Sequence, residues 1–164
     1  MRTVFAATLM AALAAGPGAR ADEIERIDIL EFGIYTATLE RTENADTAAG
    51  VVNIMTNVKL VRRTDAVTAR LGVRFGIEYM LVGKPAGELA VIDWVTRFPE
   101  RGLTNAKGER FQKNELSRTT PIGERTHRTY TFDEAWELVP GKWVLEFYHR
   151  GRKLGENSFT VVLP

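Results

Sequence analysis

Cysteine is absent from this 164-residue chain, and its absence removes two classes at once. No disulfide framework can staple the fold, and no thiolate is available as a metal ligand or nucleophile. Stability must come from a buried hydrophobic core, which a chain of this length can supply. Histidine is scarce, with only His127 and His149. A two-histidine metal site needs both rings beside a carboxylate in a pocket, and nothing in their spacing implies one. No metal and no cofactor is expected. A Gly-Xaa-Ser-Xaa-Gly elbow is missing, and Ser117 and Ser158 occupy ordinary strand positions, so no catalytic residue is assigned. An excess of charge of one sign is missing too: 22 Lys and Arg stand against 21 Asp and Glu. That near-neutral, interspersed pattern excludes the electrostatic footprint of a nucleic-acid binder. Helical periodicity is limited to a single turn that residues 133–138 could make, capped by Asp133.

One long apolar run is present, and it lies at the start. Arg2 precedes an uncharged stretch at residues 4–15, Gly16-Pro17-Gly18 breaks it, and Ala19-Arg20-Ala21 has the small-residue cleavage pattern. The run is shorter than the ~20 apolar residues a membrane span needs. Residues 1–21 are therefore expected to be a cleaved secretory signal, leaving a single domain at residues 22–164 with no integral membrane segment. A lone Arg2 argues for Sec-type export of an unfolded chain, and the lack of cysteine argues against a lipoprotein. The product is expected to be periplasmic or secreted. Losing Arg2 and Arg20 with no acid turns the formal charge from +1 to −1.

Alternation with a period of two dominates the remainder. Residues 130–162 read as a strand, a corner and a terminal β-hairpin. Trp143, Leu145 and Phe147 share one face, and Phe159, Val161 and Leu163 share one face of the returning strand. Gly151 suits the tight turn between them. Pro140-Gly141 turns the chain ahead of Trp143, whose indole N–H is placed to anchor the corner as a tyrosine does in immunoglobulin-like sandwiches. Near the mature N-terminus, Ile27 and Ile29 occupy one phase and Leu30, Phe32 and Ile34 the other, which predicts a bulge at Leu30-Glu31. Residues 42–50 read as an exposed loop and residues 54–61 as a strand. Residues 71–82 give the clearest strand, with Leu71, Val73, Phe75, Ile77, Tyr79 and Leu81 on one face. Residues 89–98 are apolar on both faces, predicting a strand covered on both sides. Weaker strands follow at 111–119 and 126–132. Turns every ~8–12 residues between about seven or eight strands predict an all-β immunoglobulin-like antiparallel sandwich, with a small β-barrel as the alternative.

Three stretches carry a resemblance: Glu31-Phe32-Gly33-Ile34-Tyr35, Gly72-Val73-Arg74-Phe75-Gly76, and Phe132-Asp133-Glu134-Ala135-Trp136-Glu137-Leu138-Val139-Pro140-Gly141-Lys142-Trp143. Together they resemble a bacterial exported family catalogued as "domain of unknown function 3859". Ala135 stands where proline is expected in such proteins. The resemblance implies a small exported β domain and brings no functional residues with it.

Candidate sites come from anomalies. Asp93 interrupts an apolar strand and is expected to pair with an arginine such as Arg74 or Arg97. Trp94 is its neighbour, and Trp136 lies in an acidic segment, so these three are the candidate binding residues. Asp133, Glu134 and Glu137 read as a solvated acidic turn, and both histidines as surface residues. The function these observations favour is a non-enzymatic periplasmic interaction or binding module. Its partner would be an envelope protein, reached by strand augmentation, or a glycan. The alternatives are an exported hydrolase using a carboxylate such as Asp93, and a carbohydrate or small-ligand carrier with adjacent exposed aromatics or a cavity.

Overall fold

Side chains that alternate in the sequence become the two faces of strands in a computed structural model, which describes residues 23–164. The segment read as a signal, residues 1–21, lies outside them. The strands among the described residues are β1 (Glu23–Asn44), β2 (Val51–Arg63), β3 (Ala66–Thr68), β4 (Arg74–Lys84), β5 (Leu89–Arg97), β6 (Leu103–Thr104), β7 (Arg110–Phe111), β8 (Lys113–Pro121), β9 (Arg125–Thr131), β10 (Gly141–His149) and β11 (Arg152–Val162). A 3₁₀ turn spans Ala135–Glu137. One sheet has the order β2-β1-β4-β9 and the other β3-β11-β10-β5-β8, with β6-β7 a small separate pair. Every pairing within the two sheets is antiparallel except β3 with β11. The chain is an immunoglobulin-like β-sandwich, and the barrel alternative fails because β8 and β9 stay unpaired edges.

Phe75, Ile77, Tyr79 and Leu81 of β4 face Trp143, Leu145 and Phe147 of β10 and Phe159 and Val161 of β11, all buried. The indole of Trp143 is ringed by Phe98 and Tyr130 at 5.0 Å, Phe132 at 5.6 Å and Phe75 at 5.9 Å between centroids. Such pairs contribute about 0.5–1.5 kcal/mol each beyond the area they bury. The indole Nε1–H donates to the Val139 carbonyl at 2.9 Å. Trp143 thus anchors the corner from inside the core, the position its sequence context indicates. The bulge falls where the hydrophobic phase switches: Ile29 pairs with Tyr79 and Glu31 with Glu78, leaving Leu30 as the extra residue.

Several boundaries differ from the sequence reading. Leu71 and Leu163 lie just outside β4 and β11 and are exposed. The loop expected at residues 42–50 shrinks, because β1 continues to Asn44 and only residues 45–50 turn. The strand β5 is covered on both faces only toward its C-terminal end; Leu89 and Val91 on its outer face are 63% and 56% exposed. An apolar run reports strand propensity as well as burial, and here the valine and leucine fit the pleat without a cover. The β10–β11 turn uses two left-handed residues, Arg150 (φ 49°) and Gly151 (φ 77°), between the paired His149 and Arg152. This is the twist-matched two-residue hairpin, with arginine in a position glycine or asparagine usually takes.

Candidate functional site

The long β1–β2 hairpin builds the site. Tyr35 pairs with Arg74, the first residue of β4, so beyond Tyr35 strand β1 has outgrown its neighbour and pairs with β2 alone. That ribbon carries three register shifts, at Ile34/Tyr35, Thr36/Thr38 and Leu39/Arg41, with Asn57 left-handed (φ 52°) opposite the middle one. Each bulge bends and twists a ribbon, and together they carry it over the side of the sandwich where β8 and β9 are open. Its tip docks on the other sheet. The Ala48 N–H donates to Asn114 Oδ1 at 2.9 Å, Asn105 Nδ2 donates to the Ala48 carbonyl at 3.2 Å, and Glu43 approaches Arg118 at 3.8 Å. A two-stranded ribbon is marginal alone in water, and these contacts tie its tip to the sandwich.

Beneath the ribbon is a cleft of about 390 Å³ between β8 and β9, lined among others by Arg74, Trp94, Leu116, Arg118, Arg128 and Tyr130. Arg128 reaches in from β9 and is buried. It donates to the Glu146 carbonyl at 2.6 Å and to Thr96 Oγ1 at 2.8 Å, with its guanidinium 4.8 Å from the Phe147 ring and 5.6 Å from Trp94. Burial pulls its pKa down to about 9, so it remains cationic at neutral pH. Arg74 donates to Thr129 Oγ1 at 3.0 Å and to the Met55 thioether at 3.4 Å. Burial lowers its pKa as well, against the pull of the Asp133 charge.

Glu137 closes one end of the cleft. It is 3% exposed, and its carboxylate accepts the Tyr130 hydroxyl at 2.6 Å and the N–H groups of Asp133 and Glu134 at 2.7 and 2.8 Å. Burial pushes its carboxyl above the ordinary range even though those donors favour the charged form. The expected solvated acidic turn is therefore corrected at Glu137, which turns inward to cap the 3₁₀ turn. Asp133 accepts from Asn53 Nδ2 at 3.1 Å, tying the same segment to the ribbon.

Trp94 stands in the cleft wall, with its indole N–H donating to the Tyr79 hydroxyl at 3.2 Å. Asp93 projects from the opposite face of β5, where Ser117 Oγ donates to it at 2.6 Å. The arginine partners proposed for it are engaged elsewhere, Arg97 with Glu146 at 2.7 Å and Arg74 with Thr129. Trp136 is half-buried against the core, in the middle of the 3₁₀ turn. The structure thus separates Asp93 from Trp94, and neither tryptophan forms part of an exposed platform. The histidines are corrected too. His149 is buried with Nδ1 bonded to the Val91 carbonyl at 2.9 Å. His127 is half-buried, edge-on to Tyr35 at 5.8 Å, and burial lowers its pKa. Sequence reasoning missed Arg128 and Arg118, although the phase held the signal. Arg128 shares parity with Tyr130 and Phe132, and Arg118 with Leu116 and Thr120, so both point toward the other sheet.

Residues 23–161 match a family described as a domain of unknown function, DUF3859. The chain belongs to that family. A solved immunoglobulin-like protein from Pseudomonas aeruginosa is 29% identical, covering 88% of this chain and 100% of its own, with a TM-score of 0.62. A weaker likeness is to a Pseudomonas fluorescens alkylpurine DNA glycosylase bound to DNA containing an abasic site analog. It is 18% identical, covers 59% of this chain and 27% of the other, and has a TM-score of 0.39, too low to carry an argument. No curated protein matches the chain. The three stretches that resemble the DUF3859 family converge in space: Gly33 pairs with Gly76, Ile34 with Phe75 and Tyr35 with Arg74. Phe132 exchanges backbone bonds with Gly72 and Val73 at 2.8 and 3.1 Å. A side chain at Gly76 would meet the Arg128 carbonyl at 2.1 Å, so β4 and β9 approach this closely only with glycine there. The family's stretches therefore frame the cleft end occupied by Arg74, Tyr130 and Glu137.

Proposed function

We propose that this DUF3859 chain is an exported, non-enzymatic binding module of the bacterial periplasm whose ligand site is the cleft beneath the β1–β2 ribbon. One observation carries the reading: the ribbon leaves its own sheet to roof a 390 Å³ space in which charged and aromatic side chains converge. Concave sites of this size, with a few placed polar groups on an apolar wall, suit small molecules or a chain segment such as a glycan end. Of the groups there that could do acid–base chemistry, Glu137 is held by three donors, Asp133 accepts from Asn53, and His127 lies edge-on to Tyr35. Among the described residues no group of three or more His, Cys, Asp or Glu is placed to hold a metal ion, and no helix is long and apolar enough to cross a membrane.

The test is crosslinking in cells expressing the full-length sequence, followed by mass spectrometry of both the captured partner and the crosslinked residues. The reading expects a mature N-terminus at Asp22 in the periplasmic fraction. It also expects recurrent crosslinks at ribbon and cleft positions such as Asn53 or Arg118. Crosslinks confined to the outer face of β5 around Asp93, or a chain retained in the cytoplasm with its first 21 residues, refute it.

A further inference from the structure

The cleft's hydrogen-bond inventory is lopsided. Its carboxylates are met by neutral donors: Glu137 by a hydroxyl and two backbone N–H groups, Asp133 by the Asn53 amide. Its arginines make no hydrogen bond to a carboxylate among the described residues. Arg74 spends its guanidinium on a threonine hydroxyl and a thioether, a weak acceptor. Arg118 has only Glu43 at 3.8 Å, and its buried Nη2 has no hydrogen-bond partner among the described residues. Arg128, behind them, is fixed by a carbonyl and a hydroxyl and adds a buried positive charge. These guanidiniums stay protonated at neutral pH, and a buried N–H without an acceptor costs stability. Such a donor surplus points to an acceptor that arrives from outside.

We propose that the cleft of this DUF3859 chain binds a small ligand through an oxyanion, with Arg118 of β8 and Arg74 of β4 as the anion-recognising side chains. This rests on the cleft being the binding site and adds the chemical class of what enters it. Guanidinium groups meet carboxylate and phosphate oxygens with paired N–H donors, so either anion fits. The two are distinct sources of one chemistry: an acidic sugar or acid metabolite brings a carboxylate, a sugar phosphate or headgroup a phosphate. The Trp94 and Leu116 wall gives the remainder of such a ligand an apolar surface. Charged and hydrophobic elements thus sort one ligand end from the other.

The probes are sodium acetate, inorganic phosphate, chloride at matched ionic strength, and neutral glucose, titrated into the full-length expressed protein. The readout is the arginine side-chain N–H signals and backbone amides by NMR. We expect saturable shifts at Arg118 and Arg74 with acetate or phosphate, with half-saturation at about 10 mM or below, the weak affinity of a lone anion fragment. Arg118→Gln and Arg74→Gln, each checked for a native spectrum, should weaken that binding at least ~10-fold, which is 1.4 kcal/mol. Acetate-only and phosphate-only outcomes each support the proposal and name the source. Saturable cleft shifts with glucose but not with either oxyanion overturn the oxyanion class and leave the cleft as a binding site. Linear shifts indistinguishable from chloride, or shifts unchanged in Arg118→Gln, overturn the proposal, while crosslinking decides separately whether the cleft binds anything.

Discussion

Replacing Glu137 tests whether the corner, the core and the cleft end form one hydrogen-bonded unit. Its carboxylate collects three donors, at 2.6, 2.7 and 2.8 Å. Glu137→Ala strands all three. A buried donor left without an acceptor costs about 1–3 kcal/mol. The Tyr130 hydroxyl takes that cost in full, whereas Asp133 and Glu134 are exposed residues whose N–H groups can reach water. The expected loss is therefore roughly 2–4 kcal/mol rather than three full penalties. Glu137→Gln keeps an oxygen for the two N–H groups and an amide donor for the Tyr130 oxygen, so about 1 kcal/mol is expected. The pH dependence has a definite sign. Burial raises the folded carboxyl above its ordinary value of 4.5, so between those two values the folded chain binds the proton that the unfolded chain has released. Stability from this group is then full below the unfolded value and is lost as pH rises through the folded one. Glutamine does not titrate, so the stability gap between the parent and Glu137→Gln should narrow as pH rises across that window. Urea unfolding followed by tryptophan fluorescence at several pH values measures both quantities. A Glu137→Ala variant within about 0.5 kcal/mol of the parent, or a gap that widens with pH, refutes the reasoning.

Two further outcomes follow from the anchors of the corner and the ribbon. Trp143→Phe removes the indole N–H from the Val139 carbonyl and leaves space among four rings. It should cost roughly 2–4 kcal/mol by denaturant unfolding, and a loss under about 1 kcal/mol would contradict the packing described. Asn114→Ala strips the acceptor from the Ala48 N–H at the ribbon tip. Amide hydrogen exchange at residues 45–50 should rise roughly 5–30-fold, a local loss of about 1–2 kcal/mol, with the melting temperature little changed. Unchanged exchange there would mean the ribbon is held by other contacts.

The sandwich was legible because burial repeats with period two. Phe75, Ile77, Tyr79 and Leu81 declare one face of β4, and the switch from Ile29 to Phe32 declares the bulge. Trp143 was legible as an anchor because proline and glycine precede it and alternation follows. Polarity misled where a polar residue is buried with partners far away in sequence. The Glu137 carboxylate looks solvated until Tyr130 and the turn's own N–H groups surround it. His149 looks terminal until the Val91 carbonyl, 58 positions away, meets its ring. Asp93 drew attention as a lone acid, yet Ser117 across the β5–β8 pair accounts for it. The cleft itself had no local signature, because the ribbon that roofs it is bent by pairing shifts, which belong to two strands jointly.

The two edges that fail to meet also explain why the ribbon is so long. Inward positions on β10 are Trp143, Leu145 and Phe147, whereas those on the edge strand β8 are Asn114, Leu116, Arg118 and Thr120. Had β8 and β9 carried apolar side chains inward, the open side could have closed on itself and extended the core by the usual ~25 cal/mol per Å². Asn114, Arg118 and Arg128 occupy that position instead, and three polar side chains there forgo hydrophobic burial and require partners. The ribbon supplies some of them, through Ala48 and Glu43, and shelters the remainder without filling the space. A hairpin that served only to cap the sandwich would gain more by lying flat on apolar edges. Local rules are broken where function is placed and compensated elsewhere, here by the aromatic cluster around Trp143. That is the physical case for placing the proposed ligand site at the open side.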